Sequence, residues 1–313
     1  MLYARGVIRL RAAAPAKVNL VLRVGPPRAD GFHELVTLMV PLDLADEVRV
    51  VVRDAPGPVT CRCPGRPDLD GSGNLAARAA LAMRSRLGRR EGVDIRIEKR
   101  IPVVAGLGGG SSDAAAVIRC LARAWGVRDR RLIADVALSV GSDVPFFLGS
   151  GPAWARGRGE RLRPASVAPR HLVLLYPRDP SLAIRSGDAY RWLDEDRAAG
   201  MPRRGRPQGR RPENDLMAPC FARRPSLETL RGWLADAGAA APIMSGSGPT
   251  IVGSFAGAGP ARTAARKLAR RRLEGKGVEV IVARTLARMR GVSPWKSPRS
   301  ASFRSARTSS RRT

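Results

Sequence analysis

Alternating apolar and polar side chains predict β-strands along the N-terminal part of the chain. Val18, Leu20 and Leu22 recur at every second position, which is the spacing of one face of a strand. Lys17 and Asn19 occupy intervening positions, so these two polar side chains share the opposite face. Polar side chains on one face of an otherwise apolar strand are typical of a cleft wall, with an edge strand as the alternative.

A predicted strand, a glycine-rich loop and a predicted helix follow one another before Gly126. Residues 93–97, Val-Asp-Ile-Arg-Ile, alternate in polarity as a strand does. Residues 114–125 carry apolar side chains at helical spacing, and this pattern stops before Gly126. Between them the glycine-rich loop, residues 106–113, reads Gly-Leu-Gly-Gly-Gly-Ser-Ser-Asp. A strand, a loop of this composition and a helix are typical of phosphate binding.

The glycine-rich loop suits a polyanion because glycine has no Cβ that would keep a phosphate away from backbone N–H groups. Ser111 and Ser112 offer hydroxyl donors and an N-cap for the helix, whose N-terminus carries about half a positive charge. No lysine follows the glycines, which excludes the Walker pattern, and Ser111 stands where the dinucleotide fingerprint requires a third glycine. The sequence therefore predicts a phosphate loop of a third kind, with a flexible glycine hinge as the alternative.

Two further segments combine polar side chains with turn residues. Residues 141–148, Gly-Ser-Asp-Val-Pro-Phe-Phe-Leu, place Asp143 after a predicted helix over 132–138. Such an aspartate is either a functional carboxylate or the cap of a helix or turn. Residues 243–250 form a second glycine-serine loop that leads into a predicted strand over 251–255, and a tight turn explains this loop equally well.

The length of 313 residues predicts two domains or one large domain. The chain has no run of about 20 apolar residues and no signal-peptide pattern at its N-terminus, so we expect no membrane association. The cysteines show no Cys-x-x-Cys spacing and only two histidines accompany them, which argues against a zinc site. Reduced thiols in the cytoplasm are the simplest interpretation of the cysteines, which are Cys61, Cys63, Cys120 and Cys220.

Two segments supply 12 of the 29 excess positive charges of the chain. Residues 197–212 contain six arginines, residues 291–313 contain five arginines and Lys296, and neither segment contains an acid. Both are rich in Pro, Gly or Ser and poor in apolar side chains, so we expect a disordered basic insertion and a disordered basic tail. Nucleic-acid binding is the alternative, but the segments show no aromatic interleaving of the kind that binds single strands.

Taken together, the order and spacing of these segments resemble the GHMP small-molecule kinases from about Ala12 to Met289. The most specific part is Pro-Ala-Lys-Val-Asn-Leu-Val-Leu-Arg-Val at 15–24 with Arg-Ala-Asp-Gly-Phe-His-Glu-Leu at 28–35. This pair of segments resembles the branch of the family that acts on a cytidylated methylerythritol. The glycine-rich loop and the segment 244–250 are common to the whole superfamily and support only the broader resemblance.

The resemblance implies an α+β, two-domain GHMP kinase fold with the active site in the cleft between the domains. We expect residues 1–155 to form the N-terminal domain with the ATP loop, and residues 156–290 to form the C-terminal domain. The basic segment 197–212 would be an insertion in the second domain, and 291–313 a disordered tail.

The implied activity is ATP-dependent phosphorylation of the 2-hydroxyl of 4-diphosphocytidyl-2-C-methyl-D-erythritol, in non-mevalonate isoprenoid precursor biosynthesis. Mg²⁺ is implied by this chemistry because the metal neutralises charge on the β- and γ-phosphates, although no acidic cluster in the sequence marks its ligands. A GHMP kinase for another small alcohol and a non-catalytic nucleic-acid-binding relative are the alternatives.

The resemblance also implies a role for single residues. Asp143 resembles the family's catalytic base, and Lys17 resembles its partner, which stabilises the carboxylate and the charge on the transferred phosphoryl group. Whether Asp143 abstracts the proton or only orients the hydroxyl stays open. The residues implied at ATP are Asn74, Lys99, Pro102, Val103, Val104, Ala105, Gly106, Leu107, Gly108, Gly109, Gly110, Ser111 and Ser112.

The residues implied at the acceptor are Asn19, Phe32, His33, Ser186 and Tyr190. Phe32 and His33 match the pair that recognises cytosine in the family, and Tyr190 would close the other face of the base. Phe32 stands where the family usually has tyrosine, so stacking is retained and a hydroxyl contact is lost.

Overall fold

The computed structural model describes residues 6–202 and 212–295. Residues 1–5, 203–211 and 296–313 lie outside the described residues, and with them most of the predicted basic insertion and basic tail. The strands are β1 (Val7–Pro27), β2 (His33–Pro56), β3 (Val59–Arg62), β4 (Glu91–Glu98), β5 (Ala153–Gly157), β6 (Arg161–Pro164), β7 (His171–Pro177), β8 (Glu213–Asn214), β9 (Ala240–Met244), β10 (Ile251–Phe255), β11 (Arg272–Leu273), β12 (Lys276–Arg284) and β13 (Ser293–Pro294). The helices are α1 (Leu75–Leu87), α2 (Gly109–Ala124), α3 (Arg130–Val140), α4 (Val144–Leu148), α5 (Ser186–Ala198), α6 (Met217–Arg223), α7 (Ser226–Asp236) and α8 (Ala258–Leu268).

β1 and β2 form one long antiparallel hairpin at the centre of the first sheet. This eight-stranded sheet has the order β13-β1-β2-β4-β3, with β5 beside β2, β6 beside β5 and β8 beside β1. The register of the hairpin shifts between Pro15 and Lys17 and again between Asn19 and Val21. Such irregularities bend a strand and re-aim its side chains, and here they flank the two polar residues that the sequence placed on one face.

Helices α1 and α2 pack against each other on the first sheet through small side chains. α1 buries Ala76 and Ala80, and α2 buries Ala114 and Ala115, all in the same apolar cluster. Alanines at a helix contact let the two axes approach closely because no long side chain separates them. The predicted helix over 114–125 is confirmed, but it begins earlier, at Gly109 inside the glycine-rich loop, and ends at Ala124.

The second sheet is antiparallel and has the order β11-β12-β7-β10-β9. The strand predicted over 251–255 is confirmed as β10. Helices α5, α7 and α8 bury Leu193, Leu230 and Leu268 in one apolar cluster with Leu175 of β7. This cluster is the core of the C-terminal half.

A third apolar cluster joins the two sheets. Leu172 and Leu174 of β7 belong to this cluster together with Val18 and Leu20 of β1. Lys17 and Asn19, on the other face of β1, therefore point away from this third cluster and toward the open space between the two halves. Helices and sheets are thus combined in an α+β architecture of two halves, as the sequence predicted. Within residues 6–202 and 212–295, no helix is long and apolar enough to cross a membrane.

The first sheet does not end at the predicted domain boundary of residue 155. β5 pairs with β2 and β6 pairs with β5, so the sheet continues to Pro164. β8 and β13, which lie far later in the chain, also pair with β1. Segments from both sides of residue 155 therefore take part in the first sheet, so a single boundary in the sequence does not divide the described structure into its two halves.

The beginning of the predicted basic tail and of the predicted insertion is ordered, which corrects both starting points. Val292 packs against the apolar cluster between the first sheet and helices α1 and α2. The Trp295 N–H donates to the Arg9 carbonyl at 3.1 Å. Arg197 lies in α5 and donates to the carbonyl oxygens of Val24 and Gly25. The overall composition of each arginine-rich segment did not predict these contacts, because they are made by a few apolar and helical residues at its edge.

A buried ion triad ties α2 to the first sheet. Lys99 Nζ donates to Asp46 and to Asp113 Oδ2, the latter at 2.7 Å. Asp46 Oδ1 also accepts the N–H of Ile101 at 2.8 Å, whereas Asp113 Oδ1 has no hydrogen-bond partner among the described residues. One ammonium thus faces two carboxylates. Burial, with the nearby Asp46 carboxylate as a second cause, raises the pKa of Asp113 well above its usual range.

Lys99→Met is expected to lower the free energy of unfolding by about 3–5 kcal/mol, because it leaves the Asp46 carboxylate and the buried Asp113 carboxyl group without their cation. Urea denaturation followed by circular dichroism measures this change. Lys267→Met, an exposed change of the same kind on α8, serves as the control and is expected to alter stability by less than about 0.5 kcal/mol. Equal effects of the two substitutions would show that the triad contributes nothing to stability.

The raised pKa of Asp113 predicts a pH dependence of stability. The folded state keeps a proton that the unfolded chain has already released, so the free energy of unfolding falls as pH rises from about 4 toward the raised pKa. Asp113→Asn removes this titration and is expected to flatten the stability curve over that range. Parallel pH profiles of the wild type and Asp113→Asn would contradict the assignment.

Candidate active site

A cavity of about 1040 Å³ lies between the two halves of the protein. Its wall comes from β1, β2, the glycine-rich loop with the residues before it, the segment around Asp143 and the first turns of α5. Every residue that the sequence assigned to the site lines this cavity except Ser112. The structure therefore brings the separate motifs to one place.

Lys17 and Asp143 meet at one wall of the cavity. Lys17 Nζ lies 3.4 Å from Asp143 Oδ2, with the lysine side chain 6% exposed and the aspartate side chain 37% exposed. Asp143 occupies the N-cap position of α4, but its side chain makes no capping hydrogen bond. The alternative of a helix-capping aspartate is therefore excluded, and the carboxylate is available to a ligand in the cavity.

A chain of polar side chains fixes the Lys17 ammonium from behind. Lys17 Nζ donates to Asn19 Oδ1 at 2.6 Å, and Asn19 Nδ2 donates to Thr37 Oγ1 at 2.8 Å. The Thr37 hydroxyl in turn donates to the Val21 carbonyl at 2.7 Å. Asn19 thus orients the ammonium, and because it also lines the cavity, its assignment to the acceptor stays a prediction. Its place beside Lys17 was predicted from the strand alternation.

The glycine-rich loop lies directly over Lys17. Gly106 and Gly108 have φ angles of +72° and +71°, a left-handed conformation that favours glycine. A Cβ on Gly106 would lie 2.2 Å from the Ser245 carbonyl oxygen, and a Cβ on Gly108 would lie 3.0 Å from Lys17 Cγ. The Lys17 N–H also donates to the Leu107 carbonyl at 2.9 Å. The loop therefore needs glycine both for its conformation and for its close approach to neighbouring backbone.

The N-terminus of α2 opens into the cavity with free donors. Gly108 is its N-cap residue, and the first intrahelical bond runs from the Ser112 N–H to the Gly108 carbonyl. The N–H groups of the first helical turn before Ser112, at residues 109–111, have no intrahelical acceptor. Such donors, together with the helix dipole, favour a bound anion.

The two serines of the loop differ from the prediction. Gly108 rather than a serine caps the helix, and Ser111 lies in the first turn at the cavity wall. Ser112 is fully buried one position further on, and its hydroxyl has no hydrogen-bond partner among the described residues. Ser112 therefore does not line the cavity, because the helix begins earlier than the sequence indicated and turns this side chain inward, and its assignment to ATP stays a prediction.

The second glycine-serine loop braces the glycine-rich loop. The Ser245 hydroxyl donates to the Gly106 carbonyl at 3.0 Å, and Asn214 Nδ2 donates to the carbonyls of Met244 and Gly246. Ser247 and Ser186 lie with their hydroxyl oxygens 3.1 Å apart. The loop is therefore more than a tight turn, since it carries part of the C-terminal half against the loop of the N-terminal half.

Lys99 and Asn74 line the cavity, but their polar atoms are used within the protein. The Lys99 ammonium is held by the two carboxylates of the buried triad. Asn74 caps α1 by accepting the Ala76 N–H at 2.9 Å, and it donates to the Leu69 carbonyl at 2.9 Å. These two side chains shape the wall, which limits the direct contacts with ATP that the resemblance implied.

The other end of the cavity is aromatic. Phe32 is 46% exposed, and the Arg158 guanidinium lies 4.7 Å from the centre of its ring. His33 is buried to 9% exposure and stacks on Tyr190 with ring centroids 5.2 Å apart at an angle of 22°. His33 Nε2 lies 3.0 Å from each carboxylate oxygen of Asp194. Tyr190 thus contacts His33 and also lines the cavity.

Sequence reasoning missed several members of this site, namely Thr37, Arg158, Asp194, Asn214 and Ser247. Asp194 lies four residues after Tyr190, so a helical reading of this segment would have placed both on one face. The others depend on chain segments that only the fold brings together.

The described residues offer no ready metal centre. No group of three or more His, Cys, Asp or Glu side chains among them could hold a metal ion. The four cysteines are buried and free of disulfide bonds.

Comparison with known proteins agrees with this geometry. Residues 74–151 match the family described as GHMP kinases N terminal domain. A 4-diphosphocytidyl-2-C-methyl-D-erythritol kinase from Anaeromyxobacter sp. (strain K) is 65% identical over 313 residues, which cover 98% of this chain and 100% of the relative. A protein of the same name from Deinococcus radiodurans is 42% identical over 270 residues, covering 82% of this chain and 88% of the relative.

Solved structures give the same result. The crystal structure of a 4-(cytidine 5'-diphospho)-2C-methyl-D-erythritol kinase has a TM-score of 0.68 at 35% identity, over 88% of this chain and 98% of the other. A homoserine kinase from Cytophaga hutchinsonii has a TM-score of 0.68 at 16% identity, over 94% of this chain and 98% of the other, and this likeness shows the fold alone. On this identity and coverage the chain belongs to the GHMP kinases and, within them, to the family of 4-diphosphocytidyl-2-C-methyl-D-erythritol kinases.

Proposed function

We propose that this protein transfers the γ-phosphoryl group of ATP to the 2-hydroxyl of 4-diphosphocytidyl-2-C-methyl-D-erythritol, in non-mevalonate isoprenoid precursor biosynthesis. The observation that carries the proposal is the Lys17–Asp143 pair, which lies between the glycine-rich loop and the aromatic end of one cavity. A phosphate donor and an acceptor that carries a nucleobase can therefore approach the Asp143 carboxylate from opposite sides. The four buried free thiols fit a reducing compartment, and we place the reaction in the cytoplasm.

The triphosphate of ATP fits the glycine-rich loop. A Cβ at Gly106 or Gly108 would meet neighbouring atoms, so this backbone lies as close to its surroundings as glycine allows. The free N–H groups at residues 109–111 and the α2 dipole supply positive potential for phosphate oxygens. Ser111 at the same wall offers a hydroxyl.

Magnesium would enter with the nucleotide. This agrees with the lack of a metal-binding group among the described residues, since Mg²⁺ bound to a nucleotide uses few protein ligands and keeps several waters. Its chemistry would be to neutralise phosphate charge. The Asp143 carboxylate and the Ser111 hydroxyl both line the cavity and would be its candidate oxygen ligands from the protein.

The acceptor hydroxyl would lie against Asp143. The hydroxyl oxygen attacks the γ-phosphorus in line with the departing ADP, and its proton passes to the carboxylate or is oriented by it. The Lys17 ammonium is held by Asn19 on one side and faces Asp143 on the other, so it can stabilise both the carboxylate and the phosphoryl oxygens. The cytosine would bind at the other end among Phe32, His33 and Tyr190.

Asp143→Asn is expected to lower kcat at least about a hundredfold, because the amide cannot accept the hydroxyl proton. The KM for ATP is expected to stay within about threefold of the wild type, since the glycine-rich loop is untouched. Coupled measurement of ADP release gives both constants. Asp135→Asn, an exposed change on α3, is the control, and near-normal turnover of Asp143→Asn would remove this residue from the reaction.

Gly106→Ala is expected to raise the KM for ATP at least about tenfold. Alanine disfavours the left-handed φ of this position, and its methyl group would meet the Ser245 carbonyl oxygen. Gly232→Ala on α7 adds a methyl group in open space and is expected to leave the KM unchanged. Steady-state kinetics at varied ATP compares the two. An unchanged KM in folded Gly106→Ala would mean that ATP does not use this loop.

A further inference from the structure

One face of α5 contacts His33 with two side chains. Tyr190 and Asp194 are four residues apart, which places them one above the other on the same side of the helix. Tyr190 stacks on the imidazole ring, and Asp194 contacts its edge. This arrangement takes no part in phosphoryl transfer, yet it determines the position of a ring that lines the cavity.

Asp194 can only receive a hydrogen bond from His33. Nε2 lies 3.0 Å from both carboxylate oxygens, and a carboxylate in its ionised form is an acceptor without a donor. The proton of the ring must therefore lie on Nε2 to satisfy this contact. His33 is 9% exposed, whereas the Asp194 side chain is 38% exposed, so the histidine is the buried partner and the aspartate is reached by solvent.

The other ring nitrogen is left for a ligand. Within residues 6–202 and 212–295, His33 Nδ1 makes no hydrogen bond to the protein, and the residue lines the cavity beside Phe32. With the proton of the neutral ring on Nε2, Nδ1 carries a lone pair and is an acceptor. An acceptor at this place selects a base edge that presents an N–H group.

We propose that Asp194 is a positioning residue that holds the His33 proton on Nε2 and so keeps Nδ1 as an acceptor toward the base of the substrate. This inference rests on the proposed function, in which the acceptor substrate carries cytosine. Cytosine has an exocyclic amino group at C4, where uracil has a carbonyl oxygen. A carbonyl facing the Nδ1 lone pair leaves two acceptors opposed and unpaired, a mismatch that polar sites reject strongly.

The first test measures kcat/KM for the cytidine acceptor and for its uridine analogue at saturating ATP. The wild type is expected to prefer cytidine at least about tenfold. Asp194→Asn is expected to reduce this preference at least about tenfold through the acceptor KM, because the asparagine amide can either accept from Nε2 or donate to it and so permits both tautomers. The kcat and the KM for ATP are expected to stay within about threefold of the wild type.

Asp188→Asn is the matched control, since it removes one carboxylate from the same helix. Asp188 pairs with Arg191 on the outside of α5 and has no contact with His33. Its preference for cytidine is expected to equal that of the wild type. A merely electrostatic role for acids on α5 would change both variants alike and would overturn the proposal.

The second test reads the proton directly and needs no turnover. The chain has two histidines, so long-range ¹H–¹⁵N spectra contain two imidazole rings, and His171→Gln assigns them. The wild type is expected to show His33 protonated on Nε2 and bare at Nδ1, and Asp194→Asn is expected to show a mixture of tautomers. A proton on Nδ1 of the wild-type protein in the assay buffer would overturn the proposal.

The outcomes separate this inference from the proposed function. A wild-type protein that turns over neither acceptor would overturn the proposed function and the base selection with it. Turnover of the cytidine acceptor with an unchanged preference in Asp194→Asn would leave the kinase in place and overturn only the role of Asp194.

Discussion

The buried ammonium of Lys17 is the group on which the rest of the active site depends. A cation with a side chain only 6% exposed is stable only where fixed partners replace its water, and here Asn19 and Asp143 do so. The Asn19–Thr37 chain holds the ammonium from behind, and the bulges of β1 direct it toward the cavity. The side of Lys17 that faces Asp143 is the side that reaches the cavity.

The same constraint explains why two glycine-containing loops meet at this point. The glycine-rich loop can cover Lys17 only because Gly106 and Gly108 carry no side chain, and the loop is held by the Ser245 hydroxyl from the C-terminal half. The buried triad around Lys99 fixes α2 behind the loop. Both halves of the protein thus position the glycine-rich backbone over one cation, which is the arrangement that the proposed transfer of a phosphoryl group requires.

The sequence predicted those parts of the site that depend on local pattern. Strand alternation placed Lys17 beside Asn19, and helical spacing predicted α2, although the helix begins inside the glycine-rich loop. It did not reveal that the Lys99 ammonium pairs with two carboxylates, because Asp46 approaches it from 53 residues earlier in the chain. Nor did it reveal the contact of Asp194 with His33, which spans 161 residues. These long-range contacts depend on how the two halves pack, and the hydrophobic periodicity of a short segment carries no information about them.

The most direct test of this account is ADP release by the purified protein with Mg-ATP and either of two acceptors. One is 4-diphosphocytidyl-2-C-methyl-D-erythritol, and the other is the same polyol phosphate without its cytidylyl group. The account predicts turnover with the cytidylated acceptor alone, because in the proposed complex the aromatic end of the cavity would hold the base while Asp143 would contact the hydroxyl. Equal turnover of both acceptors would contradict the base site, and turnover of neither, in protein that still binds ATP, would contradict the proposed reaction.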